Sequence, residues 1–142
     1  MGADLSTAYL ATWAAQIGAL SAFMGGFAAT MLVMLLTHDS RRRAVRWAAG
    51  SAALSAVAFI VAAVATTTLV AGSHPEAPAS VARQAAEGPA RLMAVLFFSL
   101  GVYGLIAAIG CAGWVRSARM GWATTVMAGL GAVAITLNFV TV

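Results

Sequence analysis

Lysine is absent from this chain of 142 residues, and only four acidic residues occur in it, Asp4, Asp39, Glu76 and Glu87. Charged residues make up 8% of positions, against about a quarter in an ordinary soluble domain. So little charge cannot clothe a globular core in polar surface, which excludes a soluble fold. The one cysteine, Cys111, lies inside an apolar run, so no intrachain disulfide can form. The two histidines, His38 and His74, are divided by another apolar run and fall on opposite sides of any membrane that the run crosses. They cannot share a metal, and no metal, haem or other cofactor is expected.

What the chain has instead is apolar length. Hydrophobic residues fill 62% of positions, and they gather into four runs expected as helices over about 10–36, 47–71, 92–115 and 122–140. Each is near or above the ~20 residues that a helix needs to cross a bilayer. The expected fold is therefore all-α, a single membrane domain over 1–142 made of four spanning helices. Residues 1–9 hold no Lys or Arg, and the run after them is too long for a signal peptide, so it is expected to remain as the first span. The segment from Gly72 to Arg91 is longer and more polar. Ser80 suits a helix N-cap and Gly88-Pro89 a stop, which predicts a short surface helix between them.

All eight basic residues are arginines, and they stand at the ends of the apolar runs. That placement reads as a topology signal and a lipid-headgroup contact, not as a nucleic-acid surface. Arg41, Arg42, Arg43, Arg46, Arg116 and Arg119 occupy the two short loops, whereas Arg83 and Arg91 lie in the other connection. The short loops are expected in the cytoplasm, and both termini outside, in a plasma membrane or bacterial inner membrane. Trp13, Trp47, Trp114 and Trp122 fall near helix ends, as interfacial anchors do.

In lipid, helices hold together by close packing of small residues. Gly18, Ala22, Gly26 and Thr30 recur at four-residue spacing on the first helix, Gly104, Ala108 and Ala112 on the third, and Gly121, Thr125 and Gly129 on the fourth. The second carries Ala48, Ala52 and Ala56. These ladders are expected packing faces, within the chain or between copies.

No charge lies within any span, which argues against ion-coupled transport by a single copy. A short glycine pattern, Gly129-Leu130-Gly131, sits inside a span with no strand before it, so it forms no phosphate-binding turn. In the outer half of the spans fall the uncharged polar residues Gln16, Thr66, Thr67, Thr68, Ser99, Thr136 and Asn138, with Tyr103 deeper, near the middle of the third. They are expected to form interhelical hydrogen bonds, with a polar pocket as the competing reading. The functional expectation is a non-enzymatic membrane protein that works by association, with itself or with another membrane protein. A channel or carrier is the alternative, and an enzyme handling lipid or quinone a weaker third.

Overall fold

The computed structural model describes the backbone of residues 2–37, 43–87 and 89–141, with side chains in these stretches other than those of 2–8, 84, 86, 87 and 139. The fold is all-α, four long apolar helices packed as a bundle, with one short helix between the second and third of them. In chain order these are α1 (Gly2–Leu36), α2 (Arg43–Gly72), α3 (Ala79–Glu87), α4 (Ala90–Arg116) and α5 (Ala118–Thr141). Stretches of 28, 30, 27 and 21 residues in α1, α2, α4 and α5 are long and apolar enough to cross a membrane. At 1.5 Å per residue even the shortest runs about 31 Å, the thickness of a hydrocarbon core. This is the arrangement of a multi-pass membrane protein.

The helices run past the apolar stretches because a helix stops where its backbone is interrupted, not where its side chains turn polar. Pro89 has no N–H to continue a preceding helix, and its carbonyl accepts the Met93 N–H at 2.8 Å to open α4. Between α4 and α5 the expected six-residue loop shrinks to Ser117. Its Oγ accepts the Met120 N–H at 3.2 Å and its carbonyl accepts the Gly121 N–H at 2.9 Å, so Ser117 is the N-cap of α5. Likewise Pro78, not Ser80, precedes the first turn of α3, since its carbonyl accepts from Ala82 at 3.0 Å. Residues 38–42, with His38, Arg41 and Arg42, lie outside the described residues, as does Gly88.

By internal packing the chain divides into two compact units, Met1–Gly26 with Val57–Leu100, and Phe27–Ala56 with Gly101–Val142. In the first, Phe59 is fully buried and meets Phe98 edge-on at a centroid distance of 6.0 Å. Gly18 lets α1 approach α2 there, since an added Cβ would stand 2.8 Å from the Thr66 hydroxyl. In the second, Gly104 lies against Ser51 and Ser55, where an added Cβ would sit 3.2 Å from the Ser55 Cβ. The buried Ser55 hydroxyl donates to the Gly101 carbonyl at 2.7 Å. Helix to helix, these are backbone approaches that larger side chains would prevent.

The buried positions meet the expected ladders on α2 and α4 and depart from them on α1 and α5. On α2 the expected Ala48, Ala52 and Ala56 are all buried, as are Ala58 and Ala65, and Val45, Ala48, Ala52, Ser55, Phe59, Ala62 and Thr66 run through the buried face in steps of three and four that drift only about 20° per seven residues. On α1 the sequence is Ala14, Ser21, Gly25 and Ala28, with Gly18 partly buried. A strict four-residue ladder instead advances about 40° per step, so Gly26 lies about 80° around the helix from Gly18. Ala22 and Gly26 are accordingly exposed, and an added Cβ at Gly26 meets nothing within 4 Å. Ala108 is fully buried on α4, whereas an added Cβ at Gly129 on α5 finds open space.

Candidate functional site

The second unit carries a groove along the α4–α5 hairpin. At one end of it stands a clasp around Trp114. An added Cβ at Gly121 would overlap the indole, so the ring rests on the backbone of α5. Its Nε1 donates to Thr125 Oγ1 at 3.0 Å, and the ring stands 6.0 Å from that of Trp122. Nearby, Gly113 leaves room for Thr124, whose hydroxyl lies 3.1 Å from the Gly110 carbonyl and 3.0 Å from that of Met120. Further along, Tyr103 and Thr136 share a hydrogen bond at 2.7 Å.

Between these two polar links the groove is floored by Ala107, Gly110, Ala128, Gly129 and Ala132, with Ile106 and Cys111 beside them and a volume of about 520 Å³. Of the four long helices α5 is the most exposed, with 6% of its most apolar stretch buried against 39% for α2. Val126, Met127, Leu130, Val133 and Leu137 all face outward. Such a surface suits lipid tails or another helix.

The first unit holds a smaller pocket of about 200 Å³, lined by Leu10, Trp13, Leu69, Gly72, Ser73, Ala82, Ala85 and Arg91. None of the polar residues singled out in the sequence lines it. Thr66, Thr67 and Thr68 instead donate to carbonyls of their own helix, those of Ala63 and Val64, at 2.7 to 3.2 Å. Threonine hydroxyls commonly satisfy themselves this way in a helix. Gln16 and Asn138 are exposed and Ser99 is half-buried. Of the eight residues, Tyr103 and Thr136 are brought together side chain to side chain.

Arg43, Arg46, Arg116 and Arg119 belong to the second unit and are exposed, whereas Arg83 and Arg91 belong to the first. Among the described residues, no three His, Cys, Asp or Glu side chains gather as a metal site would require. Two features escaped the sequence reading. Ser55 was hidden among alanines, although its place in the three-and-four rhythm with Ala48 and Ala52 was there to be counted. The Trp114 clasp was hidden because tryptophan near a helix end already reads as an interfacial anchor. No family model matches the chain, and neither a curated protein nor a solved structure matches it.

Proposed function

We propose that this chain is a non-enzymatic membrane protein that acts by association, and that the α4–α5 groove is the surface through which a second copy joins. One observation carries the reading: Gly129 sits in a groove of small residues where, among the described residues, nothing lies within 4 Å of an added Cβ. Glycine inside a helix costs roughly 1 kcal/mol relative to alanine. At Gly18 and Gly104 close helix contact within the chain offsets that cost. Gly26, Gly50 and Gly131 are as open, but of these four Gly129 lines the groove, where a neighbouring helix supplies the offset. A symmetric pair brings the two grooves face to face, the small residues Ala128, Gly129 and Ala132 of each copy against those of the other.

The channel reading gains little from the threonine hydroxyls of α2, which are engaged by their own backbone. The arginine distribution supports short connections in the cytoplasm and both termini outside, in a plasma membrane or bacterial inner membrane. Native mass after gentle extraction tests the association. The parent protein is expected at a multiple of 14.4 kDa, and Gly129→Leu is expected at the single-chain mass with its helix content unchanged. A single-chain mass for the parent in lipid nanodiscs refutes the reading.

A further inference from the structure

The pocket of the first unit differs from the groove in size, wall chemistry and position. α3 closes one side of it, seated on the end of α2 by Gly72, where an added Cβ would overlap Ala85 and stand 3.0 Å from the Val81 carbonyl. Its 200 Å³ far exceeds the ~10–15 Å³ that admits one water. It falls short of the ~300–1,000 Å³ of sites that swallow a whole drug-sized ligand. Part of a larger molecule fits.

The wall chemistry says which part. Leu10, Leu69 and Ala82 are apolar, Trp13 brings an indole, Ser73 a hydroxyl and Arg91 a guanidinium. Indole and guanidinium together are the side chains that favour the headgroup boundary of a bilayer, and arginine pairs with phosphate through two parallel hydrogen bonds. The position agrees. Leu10 is the second residue of the apolar stretch of α1, Arg91 the second of that of α4, and Gly72 the last of that of α2. The pocket thus lies where three apolar stretches end.

We infer that this pocket holds the neck of an anionic phospholipid, with the headgroup phosphate at Arg91 and the start of one acyl chain against Leu10, Leu69 and Ala82. The inference rests on the helices crossing a membrane and is independent of association through α4 and α5. Native mass spectrometry of the full chain, released from nanodiscs of equal phosphatidylglycerol and phosphatidylcholine, tests it.

The parent is expected to retain phosphatidylglycerol over phosphatidylcholine by about fivefold, the weight of one arginine near an anionic headgroup. Arg91→Gln should bring that ratio to about one. Ala82→Leu, which fills the cavity, should lower retention of both lipids while the Tm stays unchanged. Millimolar inorganic phosphate should displace neither. Arg91 is exposed, so its replacement keeps the test valid even if Ala82→Leu unfolds the chain. Retention without headgroup preference, a preference that survives Arg91→Gln, or displacement by free phosphate would each overturn the inference.

Discussion

Replacing Gly104 by Leu should destabilise the folded chain, and replacing Gly26 by Leu should not. Leu at 104 must push back the Ser55 side chain and the Ser51 carbonyl, which an added Cβ alone would approach at 3.2 and 3.4 Å. Overpacking of this kind costs ~1–3 kcal/mol. It also displaces Ser55 from the Gly101 carbonyl, a 2.7 Å bond of a kind that contributes ~0.6 and at most ~1.7 kcal/mol in lipid. Removing a glycine returns nearly 1 kcal/mol of helix propensity. The net loss at 104 is then about 1–4 kcal/mol. At Gly26 only the propensity gain remains, because an added Cβ meets open space.

Reversible unfolding by a denaturing detergent, in mixed micelles dilute enough to keep the chain monomeric, measures both. Ser55→Ala, measured alongside, isolates the hydrogen bond and should cost no more than ~1.7 kcal/mol. Equal midpoints for the two leucine variants would refute the packing account.

Three further outcomes follow from the same geometry. Gly121→Ala should lower stability by up to ~2 kcal/mol, because the cost of its methyl overlapping the Trp114 indole exceeds the gain in helix propensity, whereas Gly131→Ala, with nothing within 4 Å, should raise it by up to ~1 kcal/mol; unfolding midpoints decide. Gln16→Leu and Asn138→Leu, both at exposed positions, should change stability by less than ~0.5 kcal/mol, and ion flux through liposomes should be as low in the parent as in the variants; flux that only the parent supports would favour a channel. With Cys111→Ala as background, Ala79→Cys should react with a membrane-impermeant thiol reagent on intact cells and Ala118→Cys should not; the reverse pattern would invert the orientation.

The four helices were legible in the sequence because the apolar length needed to cross a bilayer is a one-dimensional property. A run such as 47–71 announces itself without any knowledge of its neighbours. Helix ends were less legible, since α2 continues to Arg43 and α5 back to Ala118 with no proline or cap to stop them sooner. The inward face of each helix was the hardest part. In a chain rich in alanine and glycine, almost any four-residue spacing finds small residues, and only the alternation of three and four stays on one side of a helix. On that count Gly18, Ser21 and Gly25 belong together, while Ala22 and Gly26 turn away.

The candidate site was legible only in fragments. Gly129 stood out as a small residue, but whether it met its own chain or a second one depends on how α4 and α5 pack. Tyr103 and Thr136 are 33 residues apart in the chain, and nothing local to either predicts their meeting. The pocket beneath α3 draws its walls from four helices, so no single stretch of sequence contains it. Trp13 and Arg91 each read as a boundary marker, and their place on the wall of one pocket emerges from the fold.

Association through the α4–α5 groove is tested most directly by disulfide cross-linking in native membranes at low expression. In a Cys111→Ala background, Gly129→Cys places a thiol in the groove, and Ile60→Cys places one on an exposed face of α2. On mild oxidation, the variant at 129 is expected to run as a dimer and the variant at 60 as a monomer. Equal dimer yields at the two positions, or none at 129, would contradict the account.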